Sequence, residues 1–194
     1  MDDLWIERAR RGDAAAFNAL MQHWHPRIYR YVRRYFARYA AAGEDGPMAA
    51  EVAQKTFISA YEGLGRLRRN AGFRSWLYRI AINHCHAEER RRKPDPLPED
   101  AGTFQVQAWG AGPEGDLTHD DLQRWLQEAL RRIPAEQREV VLLKEYEHLT
   151  FREIAEALQI PESTAKSRLY YGLKALRQVL EGWRLTPEHL YHES

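Results

Sequence analysis

From Pro94 to Asp121 the chain carries no lysine or arginine, seven acidic residues, four prolines and four glycines. Such a stretch has little apolar surface to bury, and its like charges repel. It therefore reads as a flexible acidic linker rather than a packed element. A linker of that length in a chain of 194 residues leaves two arms, each large enough for one small domain.

Both arms show helical periodicity. Phe17, Leu20, Met21 and Trp24 recur at spacings of three and four, and after Pro26 the series resumes with Ile28, Tyr31, Val32, Tyr35 and Phe36. This predicts two helices, with Asp13 as N-cap of the first and Pro26 in the first turn of the second. Residues 43–47 form a break, a third helix is expected from about Met48 to Tyr61, and a fourth starts near Phe73. In the second arm Leu122, Trp125, Leu126, Ala129, Leu130 and Ile133 form a stripe. Pro134 then opens a helix bearing Val140 to Leu143. Thr150 and Glu153 have capping-box spacing before a short helix, Gln159-Ile160-Pro161 make a turn, and a last helix runs from about Glu162 to Glu181. Its inward residues are expected to be Ala165, Leu169, Leu173, Leu176 and Leu180. The fold class is all-α: two small helical domains, 1–93 and 119–184, a linker at 94–118 and a tail at 185–194.

Apolar residues make up 44% of the chain and charged residues 29%, with a formal net charge of +1. Bulk charge does not mark a nucleic-acid binder, so the distribution of charge must. No run approaches the roughly 18 apolar residues of a membrane span. The acidic start Met1-Asp2-Asp3 is unlike a signal peptide, and Cys85 stands alone. The expected compartment is the cytoplasm, with no membrane insertion.

Two constellations carry chemistry. Thr150 to Leu180 has the proportions of a helix-turn-helix, and its second helix offers Ser163, Lys166, Ser167, Arg168, Tyr170, Tyr171 and Lys174 outward. Those side chains can reach base edges in a major groove and the phosphates beside it. The second constellation runs from Arg66 to Lys93 and holds nine basic residues against two acids. Phe73, Trp76 and Tyr78 alternate there with Arg74 and Arg79. Unstacked bases lie on such rings while arginines hold the backbone.

Sequence blocks sharpen this reading. Glu51-Val52-Ala53-Gln54-Lys55-Thr56-Phe57 and Phe73-Arg74-Ser75-Trp76-Leu77-Tyr78-Arg79-Ile80-Ala81-Ile82-Asn83 resemble region 2 of extracytoplasmic-function (ECF) sigma factors. Leu130 to Val140, Thr150 to Ala155 and Pro161 to Leu169 resemble region 4 of the same family. The resemblance implies a transcription initiation factor, not an enzyme, that binds core RNA polymerase through its β′ clamp helices and β flap. Glu51, Gln54 and Phe57 would dock on the clamp. Arg66, Arg68, Arg69, Asn70, Arg74, Arg79 and Asn83 would handle the single-stranded −10 element. Arg152, Ser163, Lys166, Ser167, Arg168, Tyr170, Tyr171 and Lys174 would read the double-stranded −35 element. An anti-sigma factor is a further partner of the family, and no cofactor is implied.

Two other readings compete. His84-Cys85-His86, with His23 and His25, could suggest a metal site. Successive residues of a helix, however, diverge by about 100°, and no cysteine pair at zinc-site spacing exists. A polymerase-independent helix-turn-helix regulator would explain the second arm alone. It leaves the basic-aromatic segment from Arg66 to Lys93 without a purpose.

Overall fold

The computed structural model describes residues 2–37, 43–67, 70–92 and 119–183. The expected linker at 94–118, Arg68, Arg69 and the tail lie outside the described residues. Eight α-helices are described: α1 (Asp2–Arg10), α2 (Ala14–Tyr35), α3 (Asp45–Gly63), α4 (Phe73–Arg92), α5 (His119–Arg132), α6 (Ala135–Val141), α7 (Phe151–Leu158) and α8 (Glu162–Gly182). No strand occurs among the described residues.

The expectation of two helices meeting at Pro26 is corrected. Residues 14–35 form one helix with Pro26 inside it. Proline there removes one backbone bond and costs about 3 kcal/mol. The apolar stripe runs straight through the proline: Phe17, Leu20, Trp24, Ile28, Tyr31, Val32 and Tyr35 are all buried. Each such side chain contributes about 1.5–3 kcal/mol, so burial outweighs the break. Asp13 caps the helix as expected, accepting from Ala16 N at 3.0 Å.

The first arm packs α1, α2, α3 and α4 together. Its core is strongly aromatic: Tyr31 meets Tyr78 edge-on at 5.5 Å, and Trp24 meets Phe73 at 5.8 Å. The basic end of α4 is neutralised locally. Glu88 is buried and receives Arg91 at 2.6 Å and Arg92 at 2.9 Å, and Arg92 also reaches Glu44. Arg91 first and Arg92 with it hold the Glu88 carboxyl down to about 2.

In the second arm, Thr150 and Glu153 form the capping box that starts α7. Gln159 ends α7 in the left-handed region at φ 56°, a conformation its polar side chain tolerates at a modest cost. A π-helical turn at Leu142–Tyr146 connects α6 to this unit. Helices α6 and α8 cross closely at Gly172, where an added Cβ would lie 3.0 Å from Val141 Cγ2 and 3.3 Å from the Gln137 carbonyl oxygen. The inward list for α8 needs one correction: Leu173 is 40% exposed, whereas Gly172 and Val179 are buried. Leu173 lies about 100° around the helix from Gly172, past the edge of the packed stripe.

The two arms do not sit apart. One continuous core holds Tyr31, Tyr78 and Cys85 from the first arm and Val140, Leu143, Leu149 and Ile154 from the second. Helix α7 lies against α4, and the π-helical turn lies against α2.

Candidate nucleic-acid interface

Helix α8 presents a polar, aromatic face. Ser163, Lys166, Ser167, Tyr170, Tyr171 and Lys174 are exposed. Tyr170 and Tyr171 are 64% and 56% exposed, and their rings touch edge-on at 5.3 Å. Lys166 pairs with Glu162 one turn back at 2.9 Å and stands 5.6 Å from the centre of the Phe151 ring. Both contacts are surface contacts, easily exchanged for a phosphate. Arg152, at the start of α7, is exposed and touches Glu156 at 3.3 Å.

Arg168 departs from the expected set. Its side chain is only 25% exposed, and its guanidinium is bonded to Glu136 of α6. It sits on the flank turned toward α6 and ties the two helices together, so it does not point outward as expected.

The basic-aromatic helix α4 divides its residues between two faces. Arg79 and Asn83, with Trp76, occupy the outer side. Trp76 is partly buried, with its ring packed 5.8 Å from Phe73 and against Gly63. Arg74 lies about 140° from Arg79 around the helix. It donates to the Glu147 backbone oxygen and stands 3.7 Å from Glu153. Grouping Arg74 with Arg79 and Asn83 on one DNA-facing surface is therefore corrected for this conformation. Arg66 is exposed, and Asn70 donates to Asp3 O at 3.5 Å and Glu7 Oε1 at 3.4 Å, which ties its turn to α1.

Helix α3 shows Glu51, Gln54 and Lys55 to solvent, with Glu51 and Lys55 paired at 2.6 Å. Phe57, expected to dock on a partner, is only 4% exposed and stacks on His25 at 5.8 Å. It is a core residue, a correction to the docking list. The apolar residues presented on that helix are Ile58 and Tyr61, at 52% and 61% exposure. Their spacing of seven and ten from Glu51 places them on its stripe, a signal the sequence contained.

The histidines of α4 turn to different neighbours. His84 meets Ser59 at 2.9 Å, His86 meets Glu139 at 2.5 Å, and Cys85 is fully buried between them. Burial pushes the Cys85 thiol up, away from the reactive thiolate. Among the described residues no three His, Cys, Asp or Glu side chains gather where they could hold a metal ion. None of the described helices is long and apolar enough to cross a membrane.

Comparison with known proteins matches both arms. The family model for sigma-70 region 2 covers residues 20–94, and that for sigma-70 region 4 covers residues 123–176. The chain is 31% identical over 188 residues to the RNA polymerase sigma-H factor of Pseudomonas aeruginosa, covering 93% of this chain and 94% of that one. It is 32% identical over 183 residues to the ECF RNA polymerase sigma factor SigW of Bacillus subtilis, covering 90% and 94%. Among solved structures, CnrH in complex with the cytosolic domain of CnrY superposes with a TM-score of 0.69 at 19% identity, over 93% of this chain and 97% of that one. The sigma factor RpoE in complex with the anti-sigma factor NepR from Bartonella quintana gives 0.63 at 18% identity, over 85% and 96%. At these identities the solved structures establish a shared fold.

Proposed function

This chain belongs to the ECF family of RNA polymerase sigma factors, and from that premise we propose how its residues divide the work of promoter recognition. Residues 1–93 form the region 2 domain, 94–118 the linker and 119–184 the region 4 domain. The protein acts in the cytoplasm as a non-enzymatic subunit. It binds core polymerase and promoter DNA, and an anti-sigma factor is a fitting further partner, since the two superposed proteins were solved with other proteins bound.

The observation that carries this division is the outward face of α8. Ser163, Lys166, Ser167, Tyr170 and Lys174 are exposed together behind a properly capped helix-turn-helix. Hydroxyls at the start of the helix suit base edges, and the lysines suit the flanking phosphates. Tyr171 and Arg152 lie at the margins of that surface and serve the backbone. Arg168 supports the reader through Glu136.

In region 2, Arg66, Arg79 and Asn83 remain available to an unstacked −10 strand around Trp76. Arg68, Arg69 and Asn70 lie between α3 and α4 in the sequence and would hold a flipped base, with the Asn70 amide exchanging its contacts to Asp3 and Glu7 for the base edge. The α3 stripe of Glu51, Gln54, Ile58 and Tyr61 docks on polymerase.

The test is promoter opening with core polymerase, read by permanganate reactivity of the −10 region. The parent chain opens a promoter only with polymerase present. Replacing Arg68, Arg69 and Asn70 together suppresses opening on duplex DNA and spares polymerase binding. A pre-melted template restores part of the activity, since an unstacking cost of a few kcal/mol has been met. Opening without polymerase would favour the independent regulator instead.

A further inference from the structure

Helix α1, which precedes the residues matched to region 2, is anchored on α2 and holds the turn ahead of α4. Ile6 is 1% exposed in the core, and Arg8 meets Asp13, the cap of α2, at 2.7 Å. The helix packs against the short helical turns Leu64–Arg66 and Asn70–Gly72. Asp3 and Glu7 are one helical turn apart and share a face. The Asn70 amide nitrogen donates toward both, to the Asp3 carbonyl oxygen at 3.5 Å and to Glu7 Oε1 at 3.4 Å. An amide nitrogen has two donors, so both are taken. Asn70 Oδ1 is buried and meets no hydrogen-bond partner among the described residues. In this state Asn70 offers a base neither a donor nor an acceptor.

We infer that α1 is a latch on the base-capturing turn: Asp3 and Glu7 hold the Asn70 amide that a flipped base must take, so α1 sets how readily the turn accepts a base. This rests on the assignment of Asn70 to the flipped base. Ile6 and the Arg8–Asp13 pair anchor α1, so it is the turn that gives way. The held state is only marginally favoured. Both contacts are long for hydrogen bonds, and the buried Oδ1 goes unpaired. A base edge with a donor and an acceptor satisfies both ends of the released amide. Affinity for a strand that carries bases is therefore divided by the share of molecules whose turn is free. A bare sugar-phosphate strand makes no use of that amide, so its affinity is independent of the latch.

The test uses the full chain assembled with core polymerase, with polymerase alone measured in parallel. Glu7→Ala removes the carboxylate at an exposed helix position, where alanine is a good helix former. Glu7→Asp keeps the charge but is one methylene shorter, and a contact of 3.4 Å leaves it no reach to spare. Each is made in the parent chain and with Asn70→Ala. The probes are a fluorescent mixed-sequence single strand of about 12 nucleotides and an abasic sugar-phosphate strand of the same length. If held turns outnumber free ones about two to one, Glu7→Ala and Glu7→Asp each tighten binding of the base-bearing strand about threefold. Neither changes the abasic strand by more than about 1.5-fold, since the phosphate contacts are untouched. Asn70→Ala alone weakens the base-bearing strand, and in its background both changes at Glu7 are silent.

Equal gains on both strands would mean a general charge effect and overturn the inference. So would a gain for Glu7→Ala without one for Glu7→Asp, or a gain that persists with Asn70→Ala. If Asn70→Ala weakens the base-bearing strand while both changes at Glu7 leave it unaltered, the latch falls and the base-capture reading stands. If Asn70→Ala binds that strand as the parent does, the base-capture reading falls and takes the latch with it.

Discussion

The hydroxyl of Tyr78 on α4 donates to the Glu147 carboxylate at 2.5 Å, joining the basic-aromatic helix of one arm to the segment just before the helix-turn-helix of the other. Tyr78 is buried and Glu147 nearly so. Burial first, then the neighbouring Glu147 charge, push the phenol well above its ordinary range, so it remains a donor. Tyr78→Phe leaves a buried carboxylate short of one donor, with Arg34 as its remaining charged neighbour. We expect a loss of about 1–3 kcal/mol. Urea denaturation will measure it, and looser contact between the arms should accompany it in solution scattering.

A second prediction concerns pH. His86 of α4 meets Glu139 of α6 at 2.5 Å, and that hydrogen bond raises the imidazole above its ordinary value. Glu89 also raises it, burial and Arg90 oppose, and the Tyr35 ring stands 6.2 Å away. Arg138 lies 6.0 Å over that tyrosine ring. A raised folded value means the pairing stabilises fully below the ordinary value of 6.5 and is lost as pH climbs through the raised one. The arms should therefore separate more readily as pH rises from mildly acidic to mildly alkaline. Distance measurement between fluorophores on α4 and α8 will show it, and His86→Gln should flatten the response.

Glu88 gives the opposite slope. Its carboxyl is held to about 2 against an ordinary 4.5. Its contribution is present above pH 4.5 and disappears as pH falls toward 2. Glu88→Gln should lower thermal stability at neutral pH and remove part of the acid sensitivity between those limits, as read by calorimetry.

Lys166 and Arg168 should behave differently although both are cations on α8. Lys166→Ala removes an exposed charge, so duplex affinity falls and the salt slope shrinks by about one. Arg168→Ala breaks the tie to Glu136 and should cost stability of about 0.5–1 kcal/mol, with the salt slope nearly unchanged. Binding titrations at several salt concentrations, paired with thermal melts, separate the two.

Gly172→Ala tests the α6–α8 crossing. Alanine favours helix by about 1 kcal/mol, but its Cβ must fit at 3.0 Å from Val141 and 3.3 Å from a backbone oxygen. Overpacking of this kind costs about 1–3 kcal/mol, so the melting temperature should fall.

Helix positions, the capping box, the N-cap at Asp13 and the turn at Gln159 follow from local chemistry and periodicity, so they were legible in the sequence. So were the family blocks and most of the exposed α8 face, because polar residues at helical spacing declare the side they occupy. What local chemistry could not decide was what each helix packs against. Pro26 reads as a helix start until seven buried side chains on one stripe override it. Phe57 and Leu173 exchange their expected roles because the edge of a buried stripe is set by its neighbour, not by its own helix. Arg74 and Arg168 look like free cations until Glu147, Glu153 and Glu136 arrive from other parts of the chain, as many as 79 residues away for Arg74 and Glu153 (153 minus 74). Periodicity is a property of a few consecutive residues, and the sequence determines it alone. The partner of a charge is fixed by long-range packing, and only the tertiary structure decided that.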